Sequence, residues 1–207
     1  IPPIDVNNQS RFDVYEILKY CVSRFDRNIF NRNIKAYKTA NVCIEALKGN
    51  KVLCESAYEA ELHNRLSYFL RDKGGKVTGK YHLVGGSKNK KKHQYVYLVI
   101  ESPGYSVAIE LAATLRKKDL VDHFSRALNY SKLLKSSEVW VVHFMAEDEA
   151  MKNLCWPNDK DLKKGLRVVH IYHNLDFEEV KTTAFWLIAL IIIFLTITLN
   201  YRFWFKM

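Results

Sequence analysis

The stretch SVAIELAATLRKKDLVDHFSRALNY, residues 106–130, places one glutamate, Glu110, in an apolar run and follows it with a basic helical pattern. A carboxylate in such a run stays ionised only where cations or hydrogen bonds compensate its burial. Arg126 and Tyr130 are one helical turn apart, and His123 falls three residues before Arg126, so the three share a face. From there they can brace Glu110 or touch a substrate phosphate. A second set of acids, Glu55, Glu59 and Glu61, lies in ESAYEAEL, where Glu61 also has Arg65 as an i+4 surface partner. Lys88, Lys90, Lys91 and Lys92 form a basic loop, either a solvated hairpin tip or a phosphate contact. His170 and His173 have the odd spacing that sends strand side chains to opposite faces, which argues against a metal pair there.

These residues must be positioned by elements, and the hydrophobic period names them. Val14, Ile17, Leu18 and Cys21, then Ile34, Tyr37, Val42 and Ala46, recur at helical spacing and predict two helices. The break near DRNIFNRN follows from its Asp and Asn residues, which compete with helical backbone bonding. Tyr58, Leu62, Leu66 and Phe69 predict the next helix, closed by Gly74 and Gly75. The period then changes to that of strands. KVTGKYHLV and QYVYLVIE read as a hairpin around the basic loop, and SVAIELAAT is a third strand after the Pro103–Gly104 turn. A helix of about 18 residues is predicted from Lys117, with EVWVVHFM and LRVVHIYH as further strands.

The resulting order, α-β-β-β-α-β, resembles the core of the restriction-endonuclease-like, PD-(D/E)XK fold. ESAYEAEL, VIESPGYSVAIELAAT and DHFSRALNYSKLL with EVWVVHF carry a closer resemblance, over residues 51–180, to the nuclease-like domain of Crinkler-type proteins of fungi and oomycetes. That resemblance implies an α/β fold with a mixed sheet, Mg²⁺-dependent phosphodiester hydrolysis, and an effector role. It implies a helix acid, matched best by Glu61 with Glu55 and Glu59 as rivals, and a strand acid, Glu110, as metal ligands and catalytic residues. It also implies phosphate contacts from Arg126 and Tyr130, at the spacing of a Gln-x-x-x-Tyr pair in RecB-like nucleases. Two positions depart from the pattern. Tyr97 stands where the second-strand Asp belongs, and Ala112 where the lysine of Glu-x-Lys belongs. A phenol does not replace a hard carboxylate ligand at neutral pH. Arg116, Lys117 or Lys118 would have to supply a migrated lysine, and Glu101, one residue beyond the apolar run, is a poor substitute for the Asp. The expected protein is therefore a nuclease-fold chain with lost or weak activity that retains nucleic-acid or phosphate binding, Lys90, Lys91 and Lys92 contributing. The alternative is a non-catalytic, membrane-anchored interaction module.

Composition sets the bounds. At 207 residues with 48% apolar and 26% charged residues, the chain is globular in character, and its net charge of +10 favours anionic partners. Cys21, Cys43, Cys54 and Cys155 form no C-x-x-C pair and read as reduced core thiols. IPPIDVNNQS begins with Ile and has no signal-peptide pattern, as in a fragment whose beginning is missing. TTAFWLIALIIIFLTITLNY, residues 182–201, is long and apolar enough to predict a transmembrane helix, with 202–207 as a short basic tail. Translated AT-rich non-coding sequence would have the same composition. Lys160, Lys163, Lys164, Arg167 and Lys181 outnumber Arg202 and Lys206, which would put the domain on the cytosolic side. Residues 1–50 are expected to be a separate helical arm.

Overall fold

A computed structural model describes residues 12–28, 43–45, 51–53, 55–85, 92–113, 116–145, 154–174 and 177–184. Helix α1 (Val14–Val22) opens on Asp13, whose carboxylate accepts the Glu16 N–H at 3.1 Å and so satisfies one of the free donors of the first turn. Two short strands, β1 (Cys43–Glu45) and β2 (Lys51–Leu53), pair antiparallel. Helix α2 (Glu55–Leu70) follows, then strands β3 (Lys76–Gly85), β4 (Lys92–Ser102) and β5 (Tyr105–Ala112). Gly104 turns β4 into β5 at φ +74°, a conformation that penalises any Cβ. Helix α3 (Lys117–Leu134), strand β6 (Glu138–Met145), the short helix α4 (Asp159–Lys163) and strands β7 (Leu166–His173) and β8 (Val180–Ala184) complete the described chain.

β3 to β8 form one six-stranded mixed sheet in sequence order. β3, β4 and β5 are antiparallel neighbours, β5, β6 and β7 are parallel, and β8 returns antiparallel on β7. The predicted order, α-β-β-β-α-β with LRVVHIYH as a further strand, is thus the observed one from α2 to β7, and β8 is added. Each face of the sheet carries its own core. On one, α1 and α2 pack Leu18, Tyr58, Leu62 and Leu66 against Leu98, Ile109, Trp140 and Ile171. On the other, α3 packs Leu120, Phe124, Ala127 and Tyr130 against Ala108, Val139, Val141 and Val168. With both faces covered, β5 to β7 are apolar almost throughout, which is why their sequences run rather than alternate.

The β3–β4 ladder contains one fault. Lys80 adopts φ +47°, and the register skips the Lys80–Tyr97 pair while resuming unshifted at Tyr81 and Val96. Face alternation slips there. Leu98 and Ile100 belong to the α2-side core and Val96 to the α3-side core; likewise Val77 packs on the α2 side and Tyr81 on the α3 side. The outer half of the hairpin is therefore turned over relative to the inner half.

Both chain ends correct the sequence expectation. α1 is not a detached arm: Phe12, Ile17 and Leu18 are buried in the α2-side core, and the Tyr15 hydroxyl lies 3.2 Å from Thr182 Oγ1 of β8. Residues 43–45, expected within a helix, are extended. The predicted membrane helix began at Thr182, yet Thr182, Thr183 and Ala184 pair with Ile171, His170 and Val169, and Ala184 is fully buried. Backbone pairing with β7 makes these three residues the end of an edge strand. No described helix is long and apolar enough to cross a membrane, and residues 185–207 lie outside the described residues.

His170 and His173 do face opposite sides, and each is held neutral. His170 Nε2–H donates to the Cys155 carbonyl at 3.1 Å, leaving Nδ1 to accept from His143 at 2.9 Å. His173 Nδ1–H donates to the Asn174 carbonyl and its Nε2 accepts from the Tyr58 hydroxyl, both at 2.8 Å. Burial pushes His170 down to about 3, aided by His143, and pushes His173 down to about 4. The unfolded rings bind protons near pH 6.5 and the folded ones do not, so the contribution of these two rings to stability is complete above about pH 7 and falls as pH drops from about 6.5 towards 4. Urea unfolding at pH 7 and pH 5 should show a loss of about 2 kcal/mol per ring. His173→Gln should remove roughly half of that pH dependence.

Candidate functional site

The site forms where the first turn of α2, the middle of β4, the end of β5 and the first half of α3 meet. β5 delivers Glu110 to the α3 side, between the buried Ala108 and Ala112, and its side chain is 1% exposed. α3 presents His123 and Arg126, three residues apart and therefore on one face. α2 contributes Glu55 from its first turn. Continuing the apolar stripe Leu66, Leu62, Tyr58 backwards by one turn lands on Glu55, so the packing that buries the helix also aims this acid at the sheet.

His123 lies between the two carboxylates. Its Nδ1 is 2.9 Å from Glu110 Oε1 and its Nε2 is 3.1 Å from Glu55 Oε1. A ring donating from both nitrogens is an imidazolium. Arg126 Nη2 is 2.6 Å and 3.1 Å from the two ring nitrogens, and it pairs with Glu110 Oε1 at 3.0 Å. Tyr97, at the slipped position of β4, donates its hydroxyl to Glu55 Oε2. Two carboxylates and two cations thus neutralise one another within a single hydrogen-bonded cluster.

The electrostatics follow from this arrangement. Burial opposes the charge on His123, but the two carboxylates outweigh it and raise its pKa. Burial also opposes the charge on Glu55, which is nonetheless lowered by hydrogen bonds from His123, Tyr97 and the Ala113 backbone. Glu110 is raised by its burial, against the pull of His123 and Arg126; its Oε2 is buried without a hydrogen-bond partner. Burial, then the Glu55 hydrogen bond and charge, raise Tyr97 and keep it a protonated donor.

Several sequence-predicted positions fall elsewhere. Glu61, the favoured helix acid, is six residues from Glu55 and so on another side of α2. It is 3% exposed, accepts the Asp26 N–H at 2.9 Å and pairs with Arg65 Nε at 2.6 Å. Glu61 clamps the segment after α1 to α2, and Glu55, weighed as its rival, is the acid that meets Glu110. Glu59, also buried, faces Lys80 and His63. Tyr130 is 7% exposed within the α3-side core and does not present its ring to a ligand; Arg126 is half exposed. Ala112 is fully buried opposite His143, a position with no room for a cation. Lys92 opens β4, while Lys90 and Lys91 lie outside the described residues.

The Mg²⁺ implied by the resemblance does not fit this donor set. Mg²⁺ takes near-octahedral oxygen ligation. Here one oxygen of each acid is held by His123, the second oxygen of Glu55 is held by Tyr97, and a phenol occupies the place of the third acid. Glu110 Oε2 alone remains open. Among the described residues no cluster of three or more His, Cys, Asp and Glu is arranged to hold a metal.

No family model and no curated protein matches the chain. Among solved structures it is similar to AF1548, a protein of unknown function, at 17% identity and TM-score 0.32, with 50% of this chain and 53% of that one covered. It is also similar to Pyrococcus furiosus SfsA, solved in complex with Ca²⁺, at 11% identity and TM-score 0.32, covering 69% and 74%. The chain thus spans about half the length of AF1548. At these TM-scores the likenesses carry no assignment, and the functional reading rests on the site.

Breaking the cluster on one side leaves a buried charge. His123→Ala should cost roughly 3–5 kcal/mol in urea unfolding, and adding Glu110→Gln should return part of that loss. A double-mutant cycle returning no coupling would rule out the bridge. Glu61→Ala should destabilise by about 2 kcal/mol through the lost clamp while leaving the coupling between His123 and Glu110 unchanged.

Proposed function

We propose that this chain is a Crinkler-like protein of the restriction-endonuclease-like class whose metal site has been replaced by an internal imidazolium, and that it binds nucleic acid without hydrolysing it. The observation that carries the reading is His123 placed to donate to both Glu55 and Glu110, the two acids that converge from α2 and β5. The element order supports the fold class, since that helix, those three antiparallel strands and the following helix and parallel strand stand in the order the class uses.

The chemistry of replacement is direct. In a nuclease of this class a divalent ion would neutralise the acids and activate a water for attack on phosphorus. Here His123 and Arg126 supply the two positive charges from within the fold. An incoming Mg²⁺ would have to expel a hydrogen-bonded imidazolium and overcome Arg126 at close range, with no second-strand carboxylate in return. What survives is electrostatic. The net charge of +10 and the half-exposed Arg126 favour phosphate contacts that need no metal.

The test is plasmid nicking by the full chain with Mg²⁺ or Mn²⁺, beside Glu110→Ala, together with DNA binding at graded salt. The expected result is no nicking above the Glu110→Ala background and binding that weakens linearly in log salt. Metal-dependent nicking abolished by Glu110→Ala would overturn the replacement. A variant carrying Tyr97→Asp and His123→Ala is expected to bind Mn²⁺ measurably by calorimetry where the natural chain does not.

A further inference from the structure

The chain's positive charge is not spread evenly. From Lys76 to Ser102 the β3–β4 hairpin carries six lysines against one acid, Glu101, and so supplies five of the ten net charges. The same hairpin exposes aromatic rings. His82 and Tyr95 are cross-strand partners, their ring centroids 5.0 Å apart with a 36° tilt; both are exposed, Tyr95 at 56%.

The fault at Lys80 and Tyr97 explains why they are outside. Because alternation slips there, the neighbouring pair Tyr81 and Val96 turns into the α3-side core, and His82 with Tyr95 is turned to the opposite face. Without the slip, the inner positions of both strands would continue outward and bury a different set. Lys80 is itself exposed at the base of this platform, its left-handed backbone marking the point where the hairpin turns over.

We propose that the outer β3–β4 hairpin is a binding platform for single-stranded nucleic acid, with unpaired bases stacking on Tyr95 and His82 and Lys80 contacting phosphate. The inference rests on the nucleic-acid-binding reading and specifies the form bound. A π face flanked by lysines is the combination that unpaired strands require: each base offers a ring to stack, and each linkage a negative charge. Duplex DNA keeps its bases stacked inside and offers such rings nothing to pair with. Positive charge alone would admit any acidic partner, and the exposed rings are what decide for nucleic acid.

The experiment is fluorescence anisotropy with the full chain, using labelled oligo-dT of about 20 nucleotides and a duplex of equal length, since single-strand sites span several to many nucleotides. The natural chain is expected to prefer oligo-dT. Tyr95→Leu, which keeps an apolar cross-strand contact, should weaken oligo-dT binding at least roughly tenfold, the loss of one stacked base, whereas Tyr95→Trp should retain it. Tyr68→Leu is the control, since Tyr68 is 76% exposed but lies on α2, and it should change nothing. Thermal melts establish that each variant is folded. Equal binding of duplex and single strand with no effect of Tyr95→Leu would overturn the platform and leave the binding reading intact. Failure to bind any nucleic acid would overturn both, as would binding confined to phosphatidylserine vesicles.

Discussion

The described structure turns on a buried carboxylate that has to be compensated. Glu110 sits on the central strand β5, all but removed from solvent, where an unpaired charge would cost several kcal/mol. His123 and Arg126 supply the compensation, and doing so fixes the position of α3 against the sheet. The same imidazolium reaches Glu55 and so ties the first turn of α2 to α3. Helices from both faces of the sheet thus meet at one hydrogen-bonded ring.

That geometry is at odds with metal chemistry. The acids converge as a metal would require, but the charge between them is covalently attached to the chain. A protein cation cannot diffuse away as an ion can, and the two carboxylates favour the protonated ring that compensates them. Tyr97 contributes on the same terms. It gives Glu55 a hydrogen bond in place of the repulsion that a third carboxylate would bring in the absence of an ion.

A single backbone irregularity links this cluster to the surface. The φ of +47° at Lys80 breaks one rung of the β3–β4 ladder, at the rung that contains Tyr97. On the inner side of the break Leu98 and Ile100 face the α2-side core; on the outer side Val96, two residues on, faces the α3-side core instead, and Tyr95 is turned to solvent. The position of Tyr97 in the cluster and the exposure of Tyr95 on the hairpin meet at the same local fault.

Much of the fold was legible along the chain because local periodicity reflects burial. The stripe Tyr58, Leu62, Leu66 and the run of helical positions from Lys117 gave α2 and α3, and the apolar runs around Val107, Val141 and Val169 gave a sheet covered on both faces. Glu110, His123 and Arg126 could be grouped because a strand and the helix after it form a short-range unit with known face geometry. Glu61 was preferred to Glu55, and Thr182 to Ala184 were assigned to a membrane helix, because both depended on contacts distant in sequence. Which side of α2 meets β5 is decided by α1 packing on the other side and claiming Glu61 through the Asp26 backbone. That Thr182 to Ala184 are strand is decided by their pairing with β7. Residue types and their spacing therefore determined the elements and the chemical groups available. Only the tertiary structure decided which groups converge, since a charge cluster is specified by distances of a few ångströms between segments that the chain order leaves far apart.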